Sequence, residues 1–194
     1  MLIHCCRDKV FANAQTGNFV RLGMTLANGE YQLILRYFIP IIAFSLGVLV
    51  AMCVRNNNMS RLHWRQIILL IEIGIIVVVV SFIPISNVTN IMANICVSFL
   101  CALQVESFKK VLGHPFSSTM CTGNLRSGTE NFYNAFNNKD YYLLRNTGCY
   151  LLVIMSFVIG AFIGVHITKV LFEKAVILML IPIIFSIWNM NDNT

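Results

Sequence analysis

The sequence predicts an all-α fold: a polytopic integral membrane helix bundle of two inverted three-helix repeats, the first lacking its opening helix. Composition is one reason, because 57% of the 194 residues are hydrophobic and only 11% are charged, which is more apolar surface than a water-soluble domain buries. A second reason is a set of about five apolar segments long enough to cross a bilayer. The third is the tripeptide Thr-Gly-Asn, which occurs at residues 16–18 and 122–124, each time ahead of two such segments.

Two membrane-spanning helices are predicted in the first half, over residues 33–54 and 67–85. A helix rises about 1.5 Å per residue, so about 20 apolar residues cross a hydrocarbon core of roughly 30 Å. The second segment runs almost unbroken through Ile, Val and Leu. Between the two lies a polar loop, residues 55–65, whose three arginines make it the better cytoplasmic candidate.

Three further helices are predicted in the second half, over residues 91–108, 147–168 and 175–190. The first carries several polar side chains, the second is long and apolar, and the third is short and contains Trp188, a residue suited to the membrane interface. Residues 86–90 are expected to form a tight, uncharged connection between the halves.

The duplicated tripeptide divides this single membrane domain into a first repeat, residues 1–85, and a second repeat, residues 86–194. The second half reads as helix, Thr-Gly-Asn segment, helix, short loop, helix, and the first half matches it from Phe11 onward. Because a three-helix unit crosses the membrane an odd number of times, its copy starts from the opposite side. We therefore expect inverted repeats, as in many secondary transporters.

Small residues recur at the same spacing in the paired helices, as Gly47 with Ala51 and as Gly160 with Gly164. Two small side chains one helical turn apart let backbones approach closely in lipid. We interpret both pairs as packing positions.

The two Thr-Gly-Asn segments are the predicted binding elements, each dipping into the membrane as a broken element or lying along it as a short helix. Glycine relaxes the backbone, while Thr and Asn side chains cap a helix start or face a solute. An ordinary polar turn is the alternative interpretation. The candidate substrate-binding residues are Asn13, Gln15, Thr16, Gly17, Asn18, Gln104, Thr122, Gly123 and Asn124.

Two acidic residues, Glu72 and Glu106, are expected at membrane depth. Acids are expensive there and usually face a bundle interior or a water-filled cavity. Glu72 either does so or lies near the interface and pairs with Arg65. For Glu106 we favour an interfacial ion pair with the neighbouring Lys109 or Lys110 over a proton-relay role.

Several classes of function are not expected. The seven cysteines and four histidines are scattered without metal-ligand spacing, so no metal and no cofactor is expected. The chain has no zinc-protease motif, nucleophile elbow or phosphate loop, and we expect no enzymatic activity. Its net charge of +6 is spread over short loops, which suits membrane topology and lipid headgroups rather than nucleic acid.

Residues 10–18, Val-Phe-Ala-Asn-Ala-Gln-Thr-Gly-Asn, together with Leu103-Gln104 ahead of the second Thr-Gly-Asn, resemble the YoaK-like family of bacterial membrane proteins of unknown function. The similarity extends over nearly the whole chain. It implies a six-helix protein of the bacterial plasma membrane whose opening helix, often carrying an acidic residue, precedes the first motif. That helix is expected upstream of Met1, which implies a misassigned start or a truncated gene, with a five-helix variant as the alternative.

The leading functional hypothesis is a small-solute permease or exporter of the bacterial inner membrane, working at the interface of the two inverted repeats. Its expected partners are the lipid bilayer and an unknown small solute, with a homo-oligomer as a further option. The alternative is a non-transporting membrane protein: a scaffold, an accessory subunit or a lipid-binding protein.

Overall fold

The computed structural model describes residues 15–57, 61–82, 87–111, 114–115 and 120–191. Within these ranges the chain is almost entirely helical, as predicted. The described residues form seven α-helices: α1 Gln15–Ala27, α2 Ile34–Asn56, α3 Arg61–Phe82, α4 Asn87–Ser107, α5 Cys121–Asn138, α6 Tyr141–Leu171 and α7 Leu180–Asn191. Two 3-10 segments, Tyr31–Leu33 and Phe172–Met179, precede α2 and α7. A two-residue antiparallel pairing joins Lys110–Val111 to His114–Pro115.

The predicted helices of the first half and the centre fall on α2, α3 and α4, with differences at the ends. α3 begins at Arg61, inside the predicted polar loop. The prediction of a tight connection over residues 86–90 is wrong for residues 87–90, because these four residues form the first turn of α4. Asn and Thr suit the start of a helix as well as a loop, so composition did not separate the two.

The predicted helices of the second half fall on α6 and on the segment that follows it. α6 begins at Tyr141, ahead of the predicted start. Residues 175–190 are divided between the second 3-10 segment and α7. Pro182 lies in the first turn of α7, where its missing N–H costs little, whereas a continuous α-helix through this point would lose a hydrogen bond.

Contacts within the chain define two compact units, and each is described by itself. The first comprises residues 1–107 and 164–194. In it α2 packs extensively on α4, α1 lies against α2, and α3 contacts α2, α4 and α7. A core of Ala51, Trp64, Ile68 and Leu103 forms at this meeting of α2, α3 and α4.

Gly47 marks the closest approach of α2 to α4. A Cβ atom added there would lie 2.7 Å from the Ala102 Cβ and 2.7 Å from the Phe99 carbonyl oxygen, which is closer than real Cβ atoms come. Ala51, one turn later, is fully buried. The first unit therefore shows the packing role that was predicted for Gly47 and Ala51. At Gly160, by contrast, an added Cβ would meet no neighbouring atom within 4 Å.

The second unit, residues 108–163, contains α5 and most of α6. α5 is capped by the residue that follows it, Lys139, which takes the left-handed conformation (φ 52°) and donates its N–H to the Ala135 carbonyl. The Thr147 hydroxyl of α6 shares its proton between the Leu143 carbonyl of its own helix at 3.0 Å and the Gly128 carbonyl of α5 at 3.4 Å. A small residue at Gly128 fits this contact, because an added Cβ would lie 3.2 Å from the Tyr150 Cβ.

Among the described residues, two helical stretches are long and apolar enough to span a membrane: Tyr31–Asn56, whose most apolar 18 residues have a mean hydropathy of 2.4, and Tyr141–Leu171, where the corresponding value is 2.3. Ile91–Ser107 and Ile177–Met190 are shorter apolar helices. Large apolar side chains such as Leu46 and Phe162 are exposed along the long stretches, which suits a lipid environment. Length and composition thus support a membrane protein, whereas the inverted relation of residues 1–85 to 86–194 stays a prediction.

Candidate functional site

The first Thr-Gly-Asn lies in the first turn of α1, which is continuous from Gln15 to Ala27. Of the two forms expected for this segment, the short helix is therefore seen, and a broken element is not. Asn18 is fully buried, and its Nδ2 donates to the Oε1 of the buried Gln15 at 2.8 Å. Thr16 is exposed and Gly17 half-buried. Asn13 lies outside the described residues.

The second Thr-Gly-Asn also lies in the first turn of a helix, α5. The residue that caps α5 is Met120, which is extended and makes no side-chain capping hydrogen bond. Of the two roles expected for Thr and Asn, capping is therefore not what Thr122 and Asn124 do in α5, because both lie inside the helix. Asn124 is buried, while Thr122 and Gly123 are exposed.

The buried Glu72 and the half-buried Gln104 form an acid–amide pair between α3 and α4. The Gln104 Nε2 donates to the Glu72 Oε2 at 2.5 Å, and the Glu72 residue is only 2% exposed. Ile68, one turn earlier, is fully buried. The structure thus places Glu72 in the interior of the first unit, not at its edge. Its second oxygen, Oε1, has no hydrogen-bond partner among the described residues.

Glu106 forms an ion pair with Arg55 of α2, whose Nη1 lies 3.7 Å from the Glu106 Oε1. The acid is buried and the base is about half exposed. The sequence pointed to Lys109 and Lys110, because they are close along the chain, and that pairing stays a prediction. The side chain of Lys110 is not among those described, and the tertiary contact between α2 and α4 supplied a partner that proximity in sequence did not reveal.

Among the predicted site residues, the structure brings together Gln15 with Asn18, and Glu72 with Gln104. Gln104 was predicted as a substrate-binding residue, and the partner that the structure shows for it is Glu72. The sequence contained no register signal for this contact, because Glu72 lies 10 residues before the end of α3 (82 − 72) and Gln104 lies 17 residues after the start of α4 (104 − 87).

The second unit contains a cavity of about 300 Å³ at the turn between α5 and α6, which the sequence did not single out. Its lining combines aromatic, apolar and oppositely charged residues: Ala135, Phe136, Lys139, Asp140, Tyr141 and Leu144. The Asp140 Oδ1 accepts a hydrogen bond from the Tyr142 backbone N–H at 2.8 Å, which fixes the start of α6. Among the described residues no group of three His, Cys, Asp or Glu side chains is placed to hold a metal ion.

Fold and site together define a helical protein whose described residues include two stretches able to span a membrane and an acid–amide pair with a buried acid. The chain belongs to the family described as "protein of unknown function (DUF1275)", which matches residues 3–188. The resemblance to the YoaK-like family is consistent with this match and is confirmed by it. No curated protein and no solved structure matches the chain.

Proposed function

We propose that this protein is a small-solute permease or exporter that crosses the bacterial inner membrane several times. The observation that carries the proposal is the hydrogen bond between Gln104 and the buried Glu72. Residues 67–80 of α3 are apolar except for Gly74 and this one acid. Ionisable residues inside a membrane bundle are costly and mark solute and ion pathways.

A packing role does not account for the acid–amide pair. Apolar side chains of similar volume fill the same space at equal or greater stability, because a buried polar pair must first give up its contacts with water. Glu72 lies directly beside the apolar core residues Ile68 and Leu69, neither of which is more than 2% exposed. The proposal therefore places Glu72 on the solute or ion path. It assigns no catalytic step and no nucleic-acid partner.

A thermal-shift screen against metabolites and ions tests the proposal, using the purified protein in detergent. Ligands that bind only the folded state raise the melting temperature, by an amount equivalent to about 2.7 kcal/mol at a hundredfold excess over Kd. We expect a stabilising solute whose effect is weaker, but still measurable, in Glu72→Gln. The matched control is Glu130→Gln, which removes an acid that is 56% exposed.

Flux in proteoliposomes then decides between transport and simple binding. Movement of the stabilising solute in the wild-type protein, reduced in Glu72→Gln and unchanged in Glu130→Gln, supports a permease. A solute that binds in the screen but does not cross the vesicle membrane contradicts the proposal and favours a non-transporting protein.

A lipid-binding protein is the second candidate, and the cavity between α5 and α6 favours it. Tyr141 is 85% exposed and Phe136 is 70% exposed at its rim. Aromatic side chains of this kind collect at the membrane interface, and Lys139 beside them suits a phosphate group. Co-sedimentation with liposomes, lost in Phe136→Ser/Lys139→Ser and kept in Glu72→Gln, would support this candidate over the permease.

A further inference from the structure

We infer that Glu72 is the proton-carrying residue of this protein, taking up one proton at its carboxylate and releasing it during the transport cycle. The inference rests on the proposed function and names its coupling ion. Uptake neutralises the carboxylate by forming an O–H bond, and release regenerates the carboxylate. No other reactant is needed.

The two buried acids of the first unit differ in whether a positive charge lies beside them. The buried acids described there are Glu72 and Glu106. Glu106 has the Arg55 guanidinium within 3.7 Å. By contrast, no basic side chain among the described residues forms an ion pair with Glu72, whose hydrogen bond comes from the neutral amide of Gln104. A buried carboxylate without a cation is strongly disfavoured relative to the neutral acid.

The geometry of the pair is compatible with a neutral acid. The Gln104 amide donates to Oε2, so in the neutral form Oε2 is the carbonyl oxygen and Oε1 carries the proton. Oε1 receives no hydrogen bond from the described residues. One carboxyl group thus has an oxygen fixed by a donor and an oxygen open to protonation.

The described groups that face Glu72 from α4 and α2 do not provide its carboxylate with a cation. On α4, the Cys101 thiol interacts electrostatically with Glu72 and supplies no positive charge. α2 carries Arg55 and Cys53 near its end, where Arg55 is paired with Glu106 and Cys53 is exposed.

The other elements around Glu72 carry few charges. α7 has no ionisable residue, and the preceding 3-10 segment has Glu173 and Lys174, whose side chains are not among those described. On α3 itself, Arg65 lies about 10 Å away along the helix axis and sits over the Trp64 ring, 5.6 Å from its centroid.

A proton fits this site better than a metal cation. Metal cations such as Ca²⁺ and Mg²⁺ need six or so oxygen ligands, and the described residues provide no group of three acidic, His or Cys side chains. The flanking Ile68 and Leu69 offer no oxygen from their side chains. A proton needs neither space nor additional ligands.

Infrared spectroscopy of the purified full chain in nanodiscs tests the site directly, without a solute. We expect a carboxylic-acid C=O band in neutral buffer that shifts in D2O, disappears in Glu72→Gln and persists in Glu130→Gln. Gln104→Leu should retain the band but shift its frequency, because the donor to Oε2 is gone. This second variant keeps the test valid if Glu72→Gln fails to fold. Absence of the band in the wild type, or its persistence in a folded Glu72→Gln, overturns the inference.

Proteoliposomes test the coupling separately, with the solute found by thermal shift and a pH-sensitive dye inside. We expect a pH gradient to drive accumulation in the wild type, and Glu72→Gln to lose this accumulation while still exchanging solute across the membrane. Wild-type flux that ignores the pH gradient overturns the coupling and leaves the permease intact. Absence of any flux overturns both, and the infrared band then shows whether Glu72 holds a proton regardless of transport.

Discussion

Asn18 and Asn124 hold the same position in their helices, since each is the fourth residue of its helix and each is buried, at 0% and 2% exposure. Two residues earlier, Thr16 and Thr122 are exposed in both copies. The repeated tripeptide therefore directs its amide inward and its hydroxyl outward twice. Within each motif the asparagine is the side chain that the fold encloses.

Asn18→Ala and Asn124→Ala are accordingly expected to lower the free energy of unfolding by about 1–3 kcal/mol each, since both delete a buried polar side chain and strand its partners. Thr16→Ala and Thr122→Ala are the matched controls and should change it by less than about 0.5 kcal/mol. Denaturant unfolding in detergent, followed by circular dichroism, provides the measurement. Equal effects for the two residue types would contradict the inward role of asparagine.

Gly47→Ala is expected to destabilise the packing of α2 on α4 by about 1–3 kcal/mol, because the new methyl group overlaps Ala102 and the backbone of Phe99. Gly74→Ala is the matched control within α3, where an added Cβ meets nothing within 4 Å. There the better helix propensity of Ala should leave stability unchanged or higher. Thermal unfolding of the two variants side by side makes the comparison. A Gly47→Ala protein as stable as Gly74→Ala would rule out the close approach.

The ion pair between Arg55 and Glu106 should show a coupling free energy of about 0.5–1 kcal/mol, since Arg55 is about half exposed and solvent screens the pair. A double-mutant cycle with Arg55→Ala and Glu106→Gln isolates this value. The exposed pair of Arg126 and Glu130 serves as control and should show no coupling at high salt. If Arg126 and Glu130 showed a coupling free energy as large as that of Arg55 and Glu106, the burial of Glu106 would not strengthen its ion pair.

Gln104→Leu is expected to reduce the free energy of unfolding by about 1–3 kcal/mol, because Glu72 loses its hydrogen-bond donor. The double variant Glu72→Leu/Gln104→Leu should recover much of that loss, because a matched apolar pair needs no donor. Solute flux should nevertheless be absent in the double variant. A double variant that transports normally would show that the pair serves packing and not the solute path.

Much of the helical layout was predictable from the sequence. The positions of α2, α3, α4 and α6 were predictable from the apolar runs. A long apolar segment can be recognised in a sequence without knowing what packs against it. The end of the chain was less predictable, because the break between the second 3-10 segment and α7 depends on local backbone geometry near Pro182. The site was partly predictable as well: Glu72 and Gln104 were singled out one by one, and their contact was not.

The sequence by itself determined the helical class, the membrane-like composition and the recurrence of Thr-Gly-Asn, because each depends on residue type and spacing along the chain. Only the tertiary structure decided which asparagines and acids are buried. It also decided that Gln104, and not Arg65, is seen hydrogen-bonded to Glu72, and that Arg55 forms an ion pair with Glu106. The physical reason is that burial and pairing depend on how α2, α3 and α4 pack side by side. A hydrophobic pattern indicates how long a helix is. It does not indicate which polar residue of a neighbouring helix a given side chain contacts.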